Sequence, residues 1–218
     1  MSANLELARR NMIEQQVRPW DVLDERVLEA LAAVRREDFV PPAYRNLAFA
    51  DLDLPLGHGE VMLRPVLEGR LLQAAAPQPE ERVLEIGTGS GFFTACLARL
   101  AGEVTSVEQH AEFVEAARAR LHAANVRNAR LELGEAVRTW RATQPFDVMV
   151  VTGAVHALPP HWGDWIRPGG RLVAIVGESP AQRAVRCTRT AAGLATEELF
   201  ETDVPYLRHA EPPARFTL

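Results

Sequence analysis

Residues 83–91 read Val-Leu-Glu-Ile-Gly-Thr-Gly-Ser-Gly, an apolar run that turns at once into three glycines in five positions. Apolar runs of this kind form strands buried on both faces. Glycine loses more conformational freedom on ordering than any other residue, so three so close together imply a tight turn that something must approach. From Phe92 onward the spacing is helical. Strand, glycine turn and helix in that order open a doubly wound α/β sheet, whose ligand crevice lies beyond the carboxyl ends of its strands. The helix start offers that crevice unpaired N–H groups and a positive dipole end.

The rest of the chain supports such a sheet. Strands are expected at 82–86, 103–108, 129–133, 146–151 and 171–176, and helices at 92–100 and 111–123, with a short helix at 158–166. This alternation argues for a mostly parallel sheet covered on both faces. Residues 185–190 and 194–202 flank Ala191-Ala192-Gly193 and read as an antiparallel hairpin. Before the alternating region, 5–16, 24–34 and 67–76 have helical spacing, with Asp24 placed to cap the second helix. Pro41-Pro42 is expected to stop regular structure, 51–59 to be an extended loop, and the tail from Arg208 to be loose. The division expected is therefore a helical and loop extension over 1–80, capping the site, and a ligand-binding domain over 81–218.

The chemistry of the glycine turn separates two ligand classes. A dinucleotide site has its third glycine one position later, where this chain has Phe92, and Glu85 would repel a pyrophosphate. S-adenosylmethionine carries an ammonium, a carboxylate and a sulfonium and no phosphate, so an acid near the turn favours it. Glu108 ends the second strand of the region, 21 residues after Gly87. A carboxylate roughly 20 residues on is placed to meet ribose hydroxyls. Thr88 and Ser90 are expected to hydrogen-bond the cofactor. They are not nucleophiles, because no G-x-S-x-G elbow surrounds them.

Bulk properties exclude several classes. The 218 residues suffice for one substantial core, and the formal net charge of -5 with no basic run disfavours nucleic acid. Cys96 and Cys187 alone make neither a disulfide framework nor a zinc motif and suit a reducing cytoplasm. The opening MSANLELARRNMIEQQ carries charges where a signal peptide needs an apolar segment, and no window approaches a membrane span. No metal site is expected: His156 and His161 lie five apart across Pro159-Pro160 without helical register or a third ligand. Trp140, Trp162 and Trp165 are expected to be packing residues.

VLEIGTGSG, SVE, FDVMVVTGA and RPGGRLVAIVG together resemble a class I S-adenosylmethionine-dependent methyltransferase. VLEALAAVRREDFVPPAYRNLAFADLDLPLGHGE and VTGAVHALPPHW narrow the resemblance to the protein-L-isoaspartate (D-aspartate) O-methyltransferases, over residues 10 to 190. The resemblance implies a Rossmann-like seven-stranded sheet with an antiparallel C-terminal hairpin. It implies a cytoplasmic enzyme, a monomer or weak homodimer, that methylates carboxylates of isoaspartyl residues in damaged proteins. It implies that Glu85, Gly87, Thr88, Gly89, Ser90, Gly91, Glu108, Gln109, Gly134, Glu135 and Ala136 surround S-adenosyl-L-methionine. His58, Leu63 and Thr152 would border the acceptor.

The chain departs from the family pattern where the acceptor would sit. The family's T-I-S-x-P stands here as Val61-Met62-Leu63-Arg64-Pro65, and Leu63 lacks the hydroxyl that would bond the acceptor carboxylate. Its G-D-G stands as Gly134-Glu135-Ala136, and only Val204-Pro205-Tyr206-Leu207 echoes its closing F-V-P-L. Arg64 is expected to be a solvated surface residue. These changes leave open a methyltransferase with another acceptor, a catalytically weakened homologue, and a non-catalytic cofactor-binding module. An NAD-linked oxidoreductase is opposed by Glu85 and Phe92.

Overall fold

The computed structural model of the chain describes residues 2–213. Helix α1 (Ser2–Met12) runs into a widened π-type turn at Ile13–Val17 and a 3-10 turn at Arg18–Trp20. Pro19 falls in that last turn, where it cannot donate the N–H that would continue the helix. Helix α2 (Glu25–Ala33) starts as expected, with Asp24 Oδ1 accepting the Arg26 N–H at 2.9 Å. Replacing Asp24 by alanine is expected to lower stability by about 1 kcal/mol. Urea denaturation checks this, and an unmoved midpoint would show that the cap contributes nothing. Pro42 does not stop regular structure but opens a 3-10 segment, Pro42–Leu47, where a missing N–H is harmless.

Residues 51–59 differ from the expected loop. Most of the stretch joins an antiparallel hairpin of β1 (Leu54–Gly57) and β2 (Glu60–Met62). Gly57, His58 and Gly59 all take positive φ at its turn, and glycine on either side makes that conformation accessible. Helix α3 (Pro65–Ala75) begins two residues before the expected Leu67, because proline suits the first helical position.

Then β3 (Arg82–Ile86), α4 (Phe92–Leu100), β4 (Glu103–Glu108), α5 (Ala111–Ala123) and β5 (Ala129–Leu133) follow at the expected bounds. β6 (Phe146–Val155) runs past its expected end at Val151, and β7 (Ile166–Val176) begins before Arg171. Between them Pro160–Trp165 is a single 3-10 segment rather than the expected longer helix. β8 (Gln182–Thr190) and β9 (Gly193–Thr202) form the expected hairpin.

Seven strands make one sheet in the order β5-β4-β3-β6-β7-β8-β9, parallel from β5 to β7 and antiparallel beyond. Strands added after β3 first go to one side of it, and β6 then goes to the other. The switch places a crevice beyond the carboxyl ends of β3, β4 and β6.

Strand alternation sorts the side chains. Val83, Val104, Val148, Val150 and Ile175 face the layer of α2, α3 and α4, in one core with Leu31, Leu72 and Leu97. Leu84, Ile86, Val107, Met149 and Leu172 face the opposite layer, with Trp162 and Trp165. The N-terminal segment thus shares a core with the sheet. Arg36 and Glu68 form a buried ion pair inside it, and Arg36 also donates to the carbonyls of Ala48 at 2.8 Å and Leu63 at 2.7 Å. Burial pushes the Glu68 carboxyl up to about 8 against the pull of the Arg36 guanidinium.

Cys96 and Cys187 are free and buried, and burial pushes both thiols up. The tail is not loose throughout. The His156 N–H reaches the Ala210 carbonyl at 2.7 Å and Ala210 is buried; residues 214–218 of the tail lie outside the described residues. Among the described residues no helix is long and apolar enough to cross a membrane.

Candidate active site

A cleft opens beyond the ends of β3, β4 and β6. Its floor is Ile86, Gly87 and Gly89 of the first turn with Thr152 and Gly153 of β6. One wall is Val107, Glu108 and Gln109 with the segment Gly134–Val137 after β5. Two remote segments complete it: Leu56, Glu60 and Val61 of the β1–β2 hairpin, and Pro205, Leu207 and Arg208 near the C-terminus.

The turn conformation is dictated from below. Gly87 lies at φ 97°, and a Cβ there would stand 2.4 Å from Thr152 Oγ1. The Thr152 hydroxyl is within donating distance of the carbonyls of Ile86 (3.0 Å) and Gly87 (2.7 Å). Thr152 therefore holds the turn by occupying the space that a side chain at 87 would need. Gly91 caps α4 at φ 85°, and a Cβ on it would meet Ala117 of α5 at 3.0 Å. The third glycine lets two helices approach and does not line the cleft.

Glu108 organises the wall. Its Oε2 accepts the Gly89 N–H at 2.9 Å and its Oε1 accepts the His110 N–H at 3.0 Å. One carboxylate thus ties the glycine turn to the start of α5, and each oxygen keeps lone-pair capacity toward the cleft. Gln109 donates to Glu60 Oε1 at 3.0 Å, joining this wall to the hairpin. Burial, then the hydrogen bond to His110 and the charge of Glu108 in opposite directions, leave the Glu60 carboxyl above its usual range. Glu135 accepts the N–H groups of Val137 (2.6 Å) and Arg138 (3.1 Å) and so caps its own turn. Gly134 sits under Trp140, and Ala136 is buried, its carbonyl accepting from Trp162 Nε1 at 3.2 Å.

Glu85, expected to face the ligand, lies instead beneath the turn. Alternation sends it to the face of Val83, where it is fully buried, accepts from Thr94 Oγ1 at 2.5 Å and stands beside Ser106. Burial pushes its carboxyl up to about 8, with no cation paired to it among the described residues. The hydroxyls of Thr88 and Ser90 also turn inward. Thr88 pairs with Ser106 at 2.5 Å, and Ser90 Oγ accepts the Phe92 N–H at 3.2 Å.

The acceptor-side expectations divide. Leu63 is buried and lines a smaller recess with Val61, Met62, Phe93 and Thr152, which shares Gly87 and Gly89 with the cleft. His58 lines neither space; it is half-exposed at the hairpin turn and pairs with Glu112 at 3.1 Å. Arg64 is not a solvated residue. It bonds Asp53 and reaches Thr202 Oγ1 at 2.8 Å, pinning the hairpin to the end of β9.

Sequence reasoning missed Glu60, Phe113, Pro205, Leu207 and Arg208 as cleft residues. The C-terminal group gets there because residues 205–207 lie along β6: the Ala154 N–H donates to Pro205 at 2.9 Å and the Leu207 N–H to Ala154 at 2.8 Å. The only trace in the sequence is the Val204-Pro205-Tyr206-Leu207 echo.

Three carboxylates, Glu60, Glu108 and Glu135, and one guanidinium, Arg208, line the cleft. That balance repels a pyrophosphate and fits a cationic adenosine ligand without phosphate. Apolar wall comes from Val107, Ala136, Val137 and Phe113.

Residues 8–207 match the family described as protein-L-isoaspartate(D-aspartate) O-methyltransferase. A Rhodopseudomonas palustris protein named protein-L-isoaspartate O-methyltransferase 1 is 40% identical over 184 residues, 84% of this chain and 75% of that protein. The Gloeobacter violaceus protein-L-isoaspartate O-methyltransferase is 36% identical over 202 residues, 92% of this chain and 98% of that protein. Among solved structures, a Plasmodium falciparum candidate protein-L-isoaspartate O-methyltransferase in complex with S-adenosyl-L-homocysteine shares the fold. Its TM-score is 0.80 at 17% identity, covering 92% of this chain and 98% of that one.

Proposed function

The chain belongs to the protein-L-isoaspartate(D-aspartate) O-methyltransferase family, and from that premise we propose that it methylates the carboxylate of isoaspartyl residues in damaged proteins or peptides. It is an S-adenosyl-L-methionine-dependent methyltransferase. The observation that carries the reading is the match over residues 8–207, in a chain whose strand-tip cleft has the acidic lining such a cofactor requires.

The cofactor, when bound, supplies a methyl group on a sulfonium that leaves as a neutral thioether. Glu108 would accept from ribose hydroxyls, and Glu135 and Gln109 would flank the adenosine. The bare backbone of Gly87 and Gly89, held by Thr152, would let the cofactor approach the turn. An isoaspartyl carboxylate is already ionised near neutral pH, so the chain need supply no general base. Its task is alignment, which can contribute roughly 7–11 kcal/mol. The recess of Val61, Met62 and Leu63 shares Gly87, Gly89 and Thr152 with the cleft, and those three apolar side chains would exclude water from one side of the acceptor. The hairpin and the N-terminal segment through residue 80 would act as the cap on this side. The same reading makes the enzyme a cytoplasmic monomer or weak homodimer.

Tritiated methyl transfer to an isoaspartyl peptide and to its aspartyl twin tests the acceptor. Label on the isoaspartyl peptide alone is expected. Leu63, buried and without a donor where the family has a serine, favours a second reading in which the acceptor differs. Equal label on both peptides, or none on either with cofactor bound, would remove the isoaspartyl assignment.

A further inference from the structure

Beside the cleft, the turn of the β1–β2 hairpin meets the start of α5 through His58, His110 and Glu112, which do not line the cleft. His58 and His110 stack with ring centroids 4.4 Å apart and planes 14° apart. Phe113 presents its ring edgewise to both, at 5.7 Å and 5.1 Å. His58 Nε2 stands 3.1 Å from Glu112 Oε1. His110 Nε2 is buried, and a carboxylate oxygen of Glu60 stands 3.5 Å from it. One ligand atom from each of His58, His110 and Glu112 lies within 4.8 Å of the other two.

Two imidazoles and a carboxylate are the donor set of a borderline transition metal, and they disfavour magnesium or calcium, which take oxygen ligands. With bonds near ~2.1 Å, two ligand atoms of one tetrahedral ion stand roughly 3.4 Å apart. The His58–Glu112 pair is already near that separation. The ligand atoms, within 4.8 Å of one another, must draw toward that separation, and the two stacked rings must turn so that their lone pairs converge. The hairpin can supply this. His58 sits between Gly57 and Gly59 at positive φ, and its side chain and that of Glu112 are 47% and 67% exposed. His110 is the anchored partner, its side chain only 15% exposed.

We infer that His58, His110 and Glu112 bind one divalent transition-metal cation of the zinc class, latching the β1–β2 hairpin to the start of α5. A solvent molecule completes the fourth position, on the side where the Glu60 carboxylate faces His110 Nε2. The latch closes the side of the cleft where Gln109 already meets Glu60. That consequence rests on the cleft being the cofactor site; the binding itself does not.

Calorimetry of the full, chelator-treated chain with zinc chloride tests the site without cofactor. One zinc per chain is expected, with magnesium chloride silent. Melting temperature should rise with zinc and fall back on adding EDTA. His58→Asn, which tolerates positive φ, and His110→Asn should each weaken zinc binding at least tenfold, Glu112→Gln should weaken it measurably, and His156→Asn should leave it intact. No zinc binding, magnesium binding equal to zinc, or full zinc affinity in both the His58 and His110 variants would overturn the inference. S-adenosylmethionine titration of the same chain in EDTA reports on the cofactor site separately, so neither result stands in for the other.

Discussion

Replacing Glu108 by alanine should lower the affinity for S-adenosylmethionine by about ten- to a hundredfold, since a charge-assisted hydrogen bond is worth about 1.5–3 kcal/mol and tenfold about 1.4 kcal/mol. The carboxylate is buried at the tip of β4 and does three things at once. It receives the Gly89 N–H, it receives the His110 N–H, and its free lone pairs face the cleft. Removing it leaves the turn without its tether and the ribose without an acceptor. Glutamine should not restore affinity, because its amide group would present a donor to one of the two backbone N–H groups. Calorimetry with S-adenosylmethionine and its demethylated product measures the loss. Unchanged affinity in the alanine variant would remove Glu108 from the ribose and require another acceptor in the wall.

The second large effect is on stability, and it runs against the usual behaviour of acidic side chains. Glu85 is fully buried, and burial pushes its carboxyl from 4.5 to about 8. The folded chain therefore holds this proton more tightly than the unfolded chain. The stabilisation is complete below about pH 4.5 and is lost as pH rises toward about 8, because each pKa unit is worth about 1.4 kcal/mol. Stability measured by urea denaturation should fall by a few kcal/mol between pH 5 and pH 8. Glu85→Gln keeps the shape and the bond from Thr94 without the proton, so its stability should fall much less over the same range. Glu68 shifts in the same direction with Arg36 opposing it, so some slope should remain in the variant. Parallel profiles for the two proteins would show that Glu85 does not titrate in this window.

These two acids mark how far the sequence could be read. In the sequence both read as strand-tip carboxylates flanking a glycine turn. Glu108 does line the cleft, whereas Glu85 points under α4. The difference is a matter of parity. Side chains alternate along β3, so Glu85 shares the face of Val83, and the cleft is met by Ile86 and the backbone of Gly87. Strand spacing contained that answer, but which face carries α4 depends on how the crossover packs. Leu63 and Arg64 tell a similar story. Adjacent in sequence, they part company in the fold, one into the recess and the other to Asp53 and Thr202.

The sequence by itself determined the local elements: the alternating strands and helices, the glycine turn, the Asp24 cap and the closing hairpin. Each follows from side-chain period or from backbone preferences acting over a few residues. Tertiary structure alone decided what closes the cleft. Leu56 arrives from a stretch that reads as a loop, Arg208 from a tail that reads as loose, and His58 meets His110 across 51 intervening residues. Contacts between such distant segments are stabilised only once the sheet brings them together, and no local pattern records them.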